Sequence, residues 1–142
     1  MDIRHICFAM LASILSFLYL YLSFVVISFR RSQRVSLLTN DDQAFIKAVR
    51  AHANFSEYVP ITLILFALSI YLNIHISIFL LLAVVFVLGR ILHAAAFINA
   101  KNHKQHFKTR FWGMTATFAV IFASSLYNLI ACIIQLAHGS FI

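Results

Sequence analysis

Charge is scarce in this 142-residue chain: Asp, Glu, Lys and Arg together make up 11% of it, and only four of those residues are acidic. A soluble domain carries roughly 25% charged side chains, so this composition cannot furnish an ordinary water-facing surface. Cysteine is almost absent. Cys7 and Cys132 stand in apolar runs with no CxxC or ligand spacing, which excludes a thiolate metal centre and leaves two buried packing residues. Three glycines and a single proline, Pro60, leave no linker or low-complexity tract, and no internal repeat is present. What is plentiful is apolar: 63% of the chain is hydrophobic, in runs long enough to cross a bilayer.

Four such runs, at about 6–29, 44–73, 76–99 and 110–138, define an all-α integral membrane protein, a single four-helix transmembrane domain over residues 1–142. The first run has no charged side chain between Arg4 and Arg30 and no convincing cleavage site, so it reads as a retained span rather than a signal peptide. Ten of the eleven Lys and Arg residues lie from Arg30 to Arg110. The connections at 30–46 and 100–109 hold most of them, which places both loops in the cytoplasm and both termini on the other side. No basic face with interleaved aromatics exists for nucleic acid. Asp41 or Asp42 stands where it can cap the second helix. The short turn Asn73-Ile74-His75 makes spans two and three antiparallel neighbours, and Pro60 predicts a kink inside span two.

The polar residues of the spans are not scattered. In Arg50-Ala-His-Ala-Asn-Phe-Ser-Glu-Tyr-Val-Pro60, helical spacing puts Arg50, Asn54, Glu57 and Tyr58 on one face at i, i+4, i+7 and i+8, with His52 about 160° away. Arg90, His93 and Phe97 share a face of span three, and Ala94, Ala95 and Ala96 allow a neighbouring backbone to come close. Ionisable groups at membrane depth are costly unless paired, so these faces are candidate sites. Glu57 lies ten residues from Lys47 and Arg90 eleven from Lys101, about 15 and 16 Å down antiparallel helices, which predicts a buried Glu57–Arg90 ion pair. The same count sets Asn54 near His93. Arg30, Arg31, Arg50 and Arg110 then remain at the cytoplasmic mouth with too few acids, and an anionic ligand is the missing partner.

Four segments in this order, Val26-Ile-Ser-Phe-Arg-Arg-Ser-Gln-Arg-Val35, Arg50 to Pro60, Gly89-Arg-Ile-Leu-His93 and Arg110-Phe-Trp-Gly-Met114, resemble the MAPEG family, membrane-associated proteins in eicosanoid and glutathione metabolism, and most of all its small bacterial members. The resemblance spans nearly the whole chain, and Arg-x-x-x-Asn-x-x-Glu-Tyr-x-Pro is its most specific part. It implies a homotrimer in the bacterial inner membrane, with glutathione as co-substrate bound between protomers near the cytoplasmic face; the cationic loops then make the termini periplasmic. By motif, Arg30, Arg50, His52, Asn54, Glu57, Tyr58, Arg90 and His93 would hold glutathione. Arg110, or Arg31 in its place, would steady the thiolate, and an apolar electrophile or hydroperoxide would arrive from the bilayer. Phe97 and His93 stand where catalytic members often carry Tyr.

Two other functions fit the residues alone. A small transporter would use Glu57 as a proton carrier, and a non-catalytic scaffold would keep the fold without thiol chemistry, as Phe97 suggests. The spacing His103-x-x-His106 sits among lysines with no acidic or Cys partner, so it reads as a solvated loop and not a metal site.

Overall fold

The computed structural model describes residues 2–36, 41–98 and 103–138, with the side chains of 97, 98 and 103–106 excepted. The loop around Lys101 and the side chains of Phe97, His103 and His106 therefore lie outside the described part. Four helices follow in order: α1 Ile3–Gln33, α2 Gln43–Tyr71, α3 Ile76–Ile98 and α4 His103–Ala137. All four are long and apolar enough to cross a membrane. α1 runs past its expected span at both ends and α4 at its start, because hydropathy marks only the hydrocarbon-facing part, whereas caps and charged end turns extend the helix; α2 ends two residues short of its expected span, at Tyr71.

Local chemistry sets the ends. Asp2 caps α1 by accepting from the Arg4 amide at 2.9 Å, and Asp42, of the two candidates, caps α2 by accepting from the amides of Ala44 and Phe45. The Gln33 side-chain amide also reaches Asp42, tying the end of α1 to the start of α2. α2 ends in a paired-bond cap: Asn73 takes a left-handed φ of 60°, its amide reaches the Ile70 carbonyl, and the Ile74 amide reaches Ser69. Arg34, at φ 54°, closes α1 in the same way. His75, expected only as a turn residue, accepts from the Ser77 amide at the head of α3. α2 is continuous through Pro60.

Two ends of the bundle are thereby defined. At the turn end, Arg4 donates to the Ile74 carbonyl and the Asn73 side chain, and Tyr127 of α4 donates to the Leu72 carbonyl. The Arg4 guanidinium, hydrogen-bonded to Asp2, holds that carboxyl down to about 2. At the loop end lie Arg30, Arg31 and Arg34 and the start of α2.

The core runs down the bundle axis. Phe66 of α2 meets Phe79 and Phe86 of α3 edge to face, and Leu11, Leu15 and Leu22 of α1 close the same cluster. Between α2 and α4 the contact is polar and small. Ser69 donates to the Asn128 side-chain oxygen at 2.7 Å, and the Asn128 amide donates to the Leu65 carbonyl at 3.1 Å. Such bonds average about 0.6 kcal/mol each in membrane proteins and fix register more than they stabilise. Cys7 is half-buried, but Cys132 is exposed on α4 and is not the buried packing residue expected. An apolar run does not reveal which side of its helix faces lipid.

α3 and α4 make the closest crossing. A Cβ on Gly113 would stand 2.8 Å from both the Gly89 carbonyl oxygen and the His93 amide nitrogen, so the two backbones touch there. The close approach expected from Ala94 to Ala96 is thus made one turn earlier, at Gly89.

Candidate functional site

The crossing at Gly89 and Gly113 brings α3 and α4 against the polar face of α2. Arg50, Asn54, Glu57 and Tyr58 line one cavity of about 390 Å³, together with Ala53, His93 of α3, and Arg110 and Met114 of α4. Helical spacing alone put the four α2 residues together; the crossing adds His93 and Arg110. Tyr58 is held by an edge-to-face contact with Phe118, ring centroids 5.5 Å apart.

Arg90 stands behind this cavity, 1% exposed, and its partner is not Glu57. One terminal nitrogen donates to the Asn54 side-chain oxygen at 3.0 Å and more weakly to the Asn54 carbonyl, and the other reaches the Met114 sulfur at 3.9 Å. Its guanidinium carbon lies 5.9 Å from the centre of the Tyr58 ring, and its Nε has no hydrogen-bond partner among the described residues. Among the described residues the single salt bridge is Arg4–Asp2, so the expected Glu57–Arg90 pair is not made. The depth was matched, but Glu57 is exposed on the α2 surface while Asn54, one turn earlier, turns inward to Arg90.

The Asn54 contact has a chemical consequence. Arg carries donors only, so the oxygen of the amide must face Arg90, and the NH₂ end is the pole left for the cavity. The cavity therefore presents two guanidiniums and an amide donor against one carboxylate, Glu57. Arrays of this kind recognise an anion-rich molecule that also carries one cation.

Three candidates are elsewhere in the chain. Arg30 and Arg31 line a separate hollow of about 330 Å³ with Arg34, and Arg30 donates to the Ser36 carbonyl at 2.9 Å while lying over the Phe45 ring. Arg30, Arg50 and Arg110 therefore do not surround one volume within the chain. His52 faces α1, hydrogen-bonded to the Ser23 hydroxyl at 3.0 Å and packed on Tyr19. Met114 and the two glycines were not expected as site-building residues. Two of the chain's three glycines falling inside apolar helices is the signal that marked them.

No group of His, Cys, Asp or Glu among the described residues could hold a metal ion. The fold and cavity define an integral membrane protein, a four-helix bundle with a basic polar cavity toward its loop end. The model of the MAPEG family matches residues 8–130, and the chain belongs to that family. Comparison with curated proteins returns no match.

Proposed function

We propose that the protein is a glutathione-dependent transferase or peroxidase-like enzyme acting on an apolar acceptor from the bilayer. The observation that carries this reading is the set of groups around the 390 Å³ cavity: Arg50, Arg110 and the Asn54 NH₂ against the lone carboxylate of Glu57. Glutathione has two carboxylates, one ammonium and one thiol, which is the complementary set, and the volume lies within the ordinary range of small-molecule sites. Arg50 meets a carboxylate of the tripeptide, Glu57 its ammonium, and Asn54 a carbonyl or carboxylate oxygen. Tyr58 and His93 add wall groups to the same cavity.

Glutathione supplies a thiol whose free pKa is near 8.5. Arg110 sits beside the cavity on α4 and stays protonated at every physiological pH, so it favours the nucleophilic thiolate throughout. Arg90 acts from behind, through Asn54. Arg30, Arg31 and His52 lie apart from this cavity within one chain; in the homotrimer that the family resemblance implies, they would reach the tripeptide from the adjoining protomer. Arg31 is then the alternative thiolate partner. The loop end faces the cytoplasm of a bacterial inner membrane in this reading, in keeping with its arginines.

The test is glutathione binding by the purified protein, with thiolate absorbance followed against pH. Arg50→Ala weakens binding by about 1.5–3 kcal/mol, the range for hydrogen bonds to charged groups. Arg110→Ala leaves binding largely intact and raises the thiol pKa of bound glutathione. An unchanged pKa in Arg110→Ala transfers the thiolate role to Arg31, and a protein that binds no glutathione ends the proposal.

One observation favours a second reading, proton-coupled transport through Glu57: the carboxylate is exposed and has no ion pair among the described residues. Proton-driven uptake into vesicles, lost in Glu57→Gln, is its measurement.

A further inference from the structure

Among the described residues that line the polar cavity, Met114 carries the one sulfur; neither Cys7 nor Cys132 reaches it. Met114 is half-buried on α4, one turn past Arg110. Behind it lies Arg90, whose second terminal nitrogen, Nη2, reaches the thioether at 3.9 Å. A thioether is a weak acceptor. Arg90 is 1% exposed, and among the described residues its Nε has no hydrogen-bond partner and no carboxylate pairs with it. A buried guanidinium in this position is short of acceptors. Oxidation of the adjacent sulfur would supply one, because a sulfoxide is polar where a thioether is not.

We infer that Met114 is a modification site, oxidised to the sulfoxide by an organic hydroperoxide that enters the cavity, and that Arg90 holds the product. The inference rests on the reading of the cavity as open to a hydroperoxide from the bilayer, and not on glutathione. In the step, a sulfur lone pair attacks the outer peroxide oxygen and the O–O bond breaks. The sulfur gives up two electrons and keeps that oxygen, while the inner oxygen takes the hydroperoxide proton and leaves as an alcohol. Negative charge builds on the leaving oxygen as the bond breaks, and Arg50, Arg110 and the Asn54 amide are donors lining the same cavity. Methionine is unbranched, so rotation of its side chain brings the new S=O to the guanidinium. An oxygen on the sulfur covers much of the 3.9 Å to Nη2 and turns a marginal contact into a hydrogen bond of ordinary length. A sulfoxide usually disrupts the packing around it. Here its donor is already in place.

The protein in lipid nanodiscs, with no glutathione added, is exposed to cumene hydroperoxide, and the oxygen gained by each methionine is followed by peptide mass spectrometry. Met10 supplies the comparison: it is 60% exposed in the apolar groove between α1 and α3, so exposure alone would oxidise it first. Met114 is expected to oxidise at least about tenfold faster than Met10, a modest share of what positioned donors contribute. Protein oxidised at Met114 keeps its unfolding midpoint, whereas oxidised Arg90→Leu unfolds several degrees below its own reduced form. If Arg90→Leu does not fold, the infrared S=O stretch serves in its place. It lies below that of methionine sulfoxide in an apolar solvent, and Met114→Leu, close in volume, removes the shifted band. Oxidation of Met10 as fast as Met114 overturns the proposal. So does a wild-type midpoint that falls on oxidation of Met114, or an S=O stretch at the unbonded frequency. None of these outcomes depends on whether the protein binds glutathione.

Discussion

Asn54 rather than Glu57 is the residue that meets the buried cation, and the reason is energetic. Matching depth along two antiparallel helices locates a partner to about one turn, 5.4 Å, and Asn54 and Glu57 are one turn apart on the same face. Depth cannot choose between them; burial does, because a buried amide costs less than a buried carboxylate unless the ion pair is excellent. The residue types and the shared face were legible in the sequence for this reason, and the pairing was not. Asn54→Asp makes the argument measurable. The new carboxylate accepts from Arg90, so the unfolding midpoint is held or raised. The cavity loses its NH₂ donor and gains a repulsive charge, so glutathione affinity falls at least tenfold, about 1.4 kcal/mol, near the lower end of what a charged hydrogen bond contributes. Calorimetric binding and thermal unfolding of the one variant check both halves, and an undiminished affinity would show that the amide pole is irrelevant to the ligand.

The contact of α3 with α4 was the part of the element packing least legible in advance. Runs of small residues announce that a helix can be approached, yet the partner and the level are properties of a pair. Ala94 to Ala96 form the evident small-residue run of α3, whereas the contact uses Gly89 with Gly113, each embedded in an otherwise bulky stretch. Helix ends were more readable, since a cap is a local affair: Asp42 caps α2 whatever the rest of the bundle does. Substituting Gly113 by Ala forces backbone against backbone, with the nearest atoms at 2.8 Å, and is expected to cost about 1–3 kcal/mol, the usual range for overpacking. Gly89→Ala meets the Ala116 side chain at 3.0 Å and costs less. Thermal unfolding in nanodiscs ranks the two, and the reverse order would show that the crossing relaxes at Gly113.

For the molecule as a whole, the number of helices and their up-and-down order follow from hydrophobic runs and a short turn, because length and connection allow little else. Rotation of each helix about its own axis does not follow, and it decides which arginines share a cavity. That is why Arg50 and Arg110 converge while Arg30 and Arg31 stand apart. The α1 start and the α2–α3 turn lie at one end, with α4 extending ten residues past Tyr127 in that direction. A periplasm-active reporter fused to the C-terminus is therefore expected to be active, and activity confined to a cytoplasmic reporter would invert the orientation. The touching backbones of α3 and α4 have one more consequence, a mechanical one. Where side chains separate two helices, each can change rotamer and let the pair slide; where main chains meet, that slack is gone, and the contact serves as a fulcrum. Arg90 is one residue from Gly89 and Arg110 three from Gly113, so both ride close to the pivot, where a rocking lever travels least. The far ends of α3 and α4 can swing with the membrane around them while the spacing of these two guanidiniums stays nearly constant.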